Sequence, residues 1–392
     1  MASWTENIDP DGDTLITIHY PTGTFPAADQ PNHEDILQAV GDDSPTSTGN
    51  VVANTSDHGL EQEDESVYEL RLRVSVKHLI LASRRAKAMF KGDYQESKPS
   101  EIDGLYRWTI DPIFDPEAFK MVMKIIHLRT HELPENVTLE MMANIAAVVD
   151  DLQCHEAVSF FTKIWISRLP QPLPSAICDD LIRWVLIASV FRTRERYKSA
   201  TRVAILHSTG PIPTLGLPIY PDIVESVEHQ RQDLLETLVG QLHDLSQRLC
   251  SGTTCGIIAC RSMLLGALMQ DMCTERLYSP RPSRPFCDMG LSSTIQAVRS
   301  FESSTLYLPG EDTFYNPYEG SPDVWALQKD PFSSSRKKKS RNAHHGGIQT
   351  ARTPEYLVEH RCDLQKLLGP AIDSLEAKIE GLELSASGRH ST

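Results

Sequence analysis

The spacing in this chain that most invites chemistry belongs to cysteine and histidine: Cys250, Cys255 and Cys260 recur at intervals of five, and His360 and Cys362 stand close together much later. Thiolate and imidazole are the ligands of tetrahedral zinc, so two short segments supplying Cys255, Cys260, His360 and Cys362 make a zinc-like set. Residues five apart on a helix, however, are rotated by roughly 140° and share no face, so Cys255 would have to lie in a turn formed by residues 251–254. The usual Cys-x-x-Cys knuckle is missing as well. Spacing therefore favours buried or idle thiols, and the reading assigns no metal ligand, cofactor-binding residue or catalytic residue. Cys154, Cys178, Cys273 and Cys287 have no reactive context visible in sequence.

Other candidates are weaker. His127, His131 and His155 lie near acids, as proton transfer would need, but no second partner is set by spacing, and they read as surface or interface histidines. The sequence holds no phosphate-cradling glycine loop, no Gly-x-Ser-x-Gly elbow and no His-Glu-x-x-His. The expectation is that the protein is not an enzyme. The dense basic run Arg336–Arg341, RKKKSR, suits nuclear import or phosphate groups, while its plain reading is a solvated linker.

The elements that must position these groups are legible from periodicity. Residues 13–18 read as a first strand, and Tyr68, Leu70, Leu72 and Val74 alternate with Glu69, Arg71 and Arg73 as a second. Ser75 and Ser83 then read as caps of two short helices, 76–82 and 84–91, with Leu79, Ala82, Ala86 and Met89 facing inward. Tyr106, Trp108 and Ile110 define a third strand. Asp115-Pro116 opens a helix burying Phe119, Val122, Met123 and Ile126, and Thr138 caps another that buries Met142, Ile145, Val149 and Leu152. A further helix carries Val158, Phe161, Trp165 and Leu169. Short strands joined to helical hairpins in this order give the fold class α+β.

Beyond Pro170, residues 181–207 read as helix, 223–250 as a long helix with a leucine seam, 257–269 as a compact apolar helix, and the C-terminal region as a helix of about 28 residues bearing Leu364, Leu368, Ile372, Leu375, Ile379 and Leu382. The domain reading is a flexible tail over 1–10, an α+β domain over 11–169 with a disordered acidic insertion at 22–66, an all-α region over 170–383 with a loose segment at 309–354, and a flexible tail over 384–392.

Charge is distributed unevenly. The first 70 residues hold 15 of the 53 acidic residues and no Lys or Arg, so the remaining 38 acids balance the 38 basic residues. A neutral body offers no broad basic field, and nucleic acid is not expected as a partner. No apolar stretch approaches the roughly 20 residues of a spanning helix, so no membrane is expected. Eight scattered cysteines without a secretion signal suit a reducing compartment, the cytoplasm or the nucleus.

The succession of the 68–74 strand, VSVKHLILAS, the LYRWTI strand, DPEAFKMVMKIIHLRTHELP and TLEMMANIAAVVDDLQCHEAVSFFTKIWI resembles the fungal branch of the BTB/POZ domain. The likeness covers about residues 11–169 outside the insertion. The tail, with SMLLGALMQ and CDLQKLLGPAIDSLEAKIEGLEL, is similar to what fungal BTB proteins commonly carry. Two features depart from the pattern: the long insertion, and Asp150-Asp151-Leu152-Gln153-Cys154 in place of the more usual Asp-Lys-Tyr. The resemblance implies a protein-protein interaction module or scaffold, self-associating as a homodimer through the BTB domain, with protein partners not identified by sequence. Alternatives within it are a substrate adaptor of a cullin ubiquitin ligase and a transcription-related nuclear protein. The first would want a substrate-reading repeat such as kelch blades, the second a zinc finger or basic helix, and neither is visible.

Overall fold

The computed structural model describes residues 2–21, 67–110, 112–309 and 357–384. They form a mixed α and β structure, mostly helical, with a small four-stranded sheet. The expected insertion at 22–66, the loose segment beyond Pro309 with its basic run, and residues 385–392 lie outside the described residues.

The sheet has the order β1 (Ala2–Asn7), β3 (Val67–Val74), β2 (Thr14–Pro21), β4 (Tyr106–Ile110). β2 and β3 run antiparallel with Ile16 opposite Leu72 and Ile18 opposite Leu70, while β4 lies parallel to β2 and β1 parallel to β3. Alternation places Ile16, Ile18, Leu70, Leu72, Trp108 and Ile110 on the buried face. The tail expected over 1–10 is instead the strand β1. Isolated polar residues disguise it, because its pairing comes from the edge of β3 and from ion pairs of Glu6 with Lys124 (3.1 Å) and Lys120 (3.5 Å).

α1 (Val76–Ala82) and α2 (Arg84–Lys91) follow β3 directly. Ser83 caps α2 by accepting from the Ala86 amide at 2.9 Å, and its hydroxyl donates to the Leu152 carbonyl at 2.6 Å. Ser75 does not cap α1. Asp13 does, accepting from the Val76 amide at 2.7 Å across the sheet edge. α3 (Pro116–Ile126) starts where Asp115 accepts from the Ala118 amide at 2.7 Å, and α4 (Leu139–Leu152) where Thr138 accepts from Met141 at 3.1 Å. α5 (His155–Arg168) completes the second hairpin.

α6 (Asp179–Val190) and α7 (Arg194–His207) replace the continuous helix expected over 181–207; Arg192 at φ +51° turns the chain between them. α6 is apolar almost all round, with Leu181, Ile182 and Trp184 through Ala188 buried, and it packs on α4. The described residues accordingly divide into one compact unit reaching to His229 and including Glu380 onward, and a second comprising Gln230–Ile379. The division does not fall at residue 170, the boundary expected from sequence: residues 171–174 are a partly exposed link that stays within the first unit. It falls within α8 (Pro221–Ser251).

The second unit holds α9 (Ile258–Thr274), α10 (Leu291–Arg299), the antiparallel pair β5 (Tyr307–Pro309) and β6 (Leu357–Glu359), and α11 (Leu364–Glu376). α10 and the β5–β6 pair carry too few periodic residues to announce themselves. α11 has 13 residues rather than 28; its buried seam of Leu364, Leu368, Ile372 and Leu375 is as expected, but the chain leaves the helix at Ala377. α11 packs on α10, where Arg299 bridges Asp373 at 2.6 Å and Glu376 at 2.7 Å. Arg231, wholly buried, donates to the carbonyls of Pro285 (3.0 Å) and Met289 (2.6 Å), fixing the turn before α10.

Candidate metal centre and binding groove

Two places concentrate functional groups, one in each unit. In the second unit α8 ends when Gly252, at φ +84°, accepts the left-handed conformation that a side chain would resist. The Arg261 guanidinium lies against this glycine. The turn that follows presents Cys255, and α9 then begins so that Cys260 falls in its first turn. On the other side of the site, β6 is held to β5, and the His360 amide extends that ladder by donating to the Leu306 carbonyl at 2.7 Å. His360 and Cys362 thus lie in the short link between β6 and α11, which Asp363 caps by accepting from Lys366 at 2.7 Å.

The ligand atoms of Cys255, Cys260, His360 and Cys362 all lie within 4.8 Å of one another. Cys255 Sγ is 3.4 Å from His360 Nε2, and it accepts from the Ile257 amide at 3.4 Å. The four residues that sequence left as idle thiols and an unassigned histidine are therefore one cluster, and Cys250, the fifth member of the original spacing, is exposed at the end of α8 and outside it. The objection from helical rotation does not apply, because Cys255 precedes α9 and only Cys260 is helical.

The electrostatics of the thiols are uneven. The Ile257 amide, with Cys260, Cys362 and Arg261 adding to it, holds the Cys255 thiol below its ordinary value against the effect of burial. Burial, reinforced by the Cys255 sulfur, pushes the Cys260 thiol up to about 12 and raises that of Cys362. Cys154, elsewhere, is simply buried and pushed up to about 12, which makes it inert.

The first unit carries an open groove of about 1430 Å³. Its walls come from α1 and the start of α2 (Leu81, Arg84), from α5 (Lys163), from α7 (Arg196) and from the C-terminal residues Leu382 and Glu383. Leu81 is 86% exposed although it sits in a helix whose neighbour Leu79 is fully buried. Seven Lys and Arg side chains line the groove against four acidic ones, so the wall combines an apolar projection with a basic excess. Tyr220 at the margin donates to Asp150 at 2.6 Å. No local pattern announces this groove, since its walls come from five separated segments and no periodicity links them.

The three histidines have distinct fates. His127, expected at a surface, is buried: its Nδ1–H donates to the Met123 carbonyl at 2.9 Å and its Nε2 accepts from the Ser75 amide at 3.0 Å, which fixes a neutral ring. His131 is exposed beside Glu132, and His155 lines the groove 3.9 Å from Asp150. No helix among the described residues is long and apolar enough to cross a membrane. Set against known proteins, the chain matches no family model, no curated protein and no solved structure.

Proposed function

We propose that the protein is an interaction module: a BTB/POZ-like first unit that binds polypeptide, and a helical second unit that serves as scaffold. The order of motifs from the 68–74 strand to KIWI supports the family reading. So does the arrangement of a small sheet with helical pairs, α1 with α2 and α4 with α5, around a bridging α3. The observation that carries the functional reading is the groove. A fully projecting leucine within a basic rim offers an apolar anchor point and a field for carboxylates, the two contributions that bind an acidic peptide segment. In this reading the groove recognises a chain, and the protein acts as a binder. Self-association through the same unit belongs to this reading, as does a cytoplasmic or nuclear setting, where the eight free thiols stay reduced.

The test is affinity purification of the full chain with quantitative mass spectrometry, comparing wild type with a Leu81→Asp, Lys163→Glu double variant. The expected result is a set of partners retained by wild type and depleted at least about tenfold by the variant, the loss that about 1.4 kcal/mol of binding energy produces. An identical set of partners for both proteins rejects the groove as the binding face. Light scattering of the same two proteins shows whether a second copy is among the partners.

A further inference from the structure

We propose that Cys255, Cys260, His360 and Cys362 bind one zinc ion, a structural centre that ties the start of α9 to the start of α11. Nothing in the interaction reading requires it, and it stands on the second unit alone.

The argument is geometric. Zinc bonds of about 2.3 Å to sulfur and about 2.0–2.1 Å to nitrogen, at tetrahedral angles, set neighbouring ligand atoms about 3.5–3.8 Å apart. The Cys255 Sγ to His360 Nε2 separation of 3.4 Å already matches one edge of that tetrahedron, and no ligand atom is more than 4.8 Å from another. The largest edge has to shorten by at most about an ångström to match those bond lengths, a movement on the scale of a small side-chain torsion change.

The chemical make-up of the set agrees. Three sulfurs and one imidazole nitrogen are soft and borderline donors, which select zinc over calcium or magnesium. Four protein ligands complete the coordination shell, leaving no place for a water or substrate, so the centre is structural and not catalytic. Three thiolates around a dication leave one net negative charge. The Ile257 amide directed at Cys255 and the Arg261 guanidinium seated over Gly252 are placed to offset it. Each of the two ligand pairs is also held by independent structure: Cys255 and Cys260 by the Gly252 turn and α9, His360 and Cys362 by the β5–β6 ladder and the Asp363 cap.

The alternative for the same atoms is a disulfide between two of the thiols with no metal bound. The test distinguishes them. The full chain is purified under reducing conditions without added metal, its zinc content is measured, and the metal is then replaced by cobalt(II). The expected result is about one zinc per chain, and a cobalt form with the intense visible bands and near-ultraviolet thiolate charge transfer of a tetrahedral sulfur-rich site. His360→Ala and Cys362→Ala should each lower retained zinc at least about fivefold after dialysis, while Cys250→Ala and Cys273→Ala should leave it unchanged. Zinc near zero in the reduced wild type after reconstitution, or cobalt spectra of an octahedral ion, overturns the proposal without recourse to any variant. Retention of full zinc by both His360→Ala and Cys362→Ala overturns it as well.

Discussion

His127 illustrates what a single buried side chain contributes to this fold. It accepts from the Ser75 amide at the start of α1 and donates to the Met123 carbonyl at the end of α3, so one imidazole joins two helix ends. Burial holds it below its ordinary value of 6.5. With the folded value depressed, the neutral ring's contribution is complete above about pH 6.5 and is lost as pH falls toward and through the folded value. The melting temperature of the full chain should therefore be level from about pH 8 to 7 and decline below about 6.5. His127→Gln, which keeps an acceptor for Ser75 and cannot be protonated, should give a flatter profile between about pH 6.5 and 5.5. An equally steep decline in the variant assigns the effect to other groups. The sequence reads this histidine as a surface or interface residue because no partner is set by spacing; its bond to the Ser75 amide, 52 residues away in the chain, is a contact between distant segments, invisible to local pattern.

Elements defined by their own periodicity and caps were legible, and elements defined by a neighbour were not. The α3 and α4 starts were readable because Asp115-Pro116 and Thr138 supply the cap chemistry locally. β4 was readable because Tyr106, Trp108 and Ile110 alternate. β1 was missed because its stability resides in β3 and in Glu6, which meets Lys120 and Lys124 of α3. Burial acts against the charge of Lys124, yet the Glu132 and Glu6 carboxylates hold it protonated above the ordinary lysine range. Partly exposed pairs of this kind contribute up to about 1 kcal/mol, so Glu6→Gln should speed hydrogen exchange of the 2–7 amides about fivefold and leave β2 unaffected. Unchanged exchange would show that the β3 ladder alone retains the strand. The candidate metal ligands fall between the two cases: their identities were visible, but their meeting depends on the Gly252 turn and the β5–β6 ladder, neither of which has a signature at that spacing.

At the scale of the whole molecule, residues 380–384 return to the first unit. The Leu382 amide donates to Thr201 at 2.8 Å, and Lys198 bridges Glu380 at 2.9 Å and Glu383 at 2.8 Å. Gly381 lies so close to α7 that a Cβ would overlap the Lys198 carbonyl and crowd Thr201. Gly381→Ala should thus destabilise the first unit by about 1–3 kcal/mol, read as an earlier melting of α7 by hydrogen exchange, with α9 to α11 unaffected. Equal protection of α7 in both proteins would remove this contact from the account. Because residues 380–384 are translated after everything in the second unit, a nascent chain cannot finish its amino-terminal half until the ribosome has passed the codons for Cys362 and α11. A premature stop after Ile379 would spare every thiol in the cluster yet strip from the groove a wall encoded roughly 200 or more codons downstream of its α1, α2 and α5 lining.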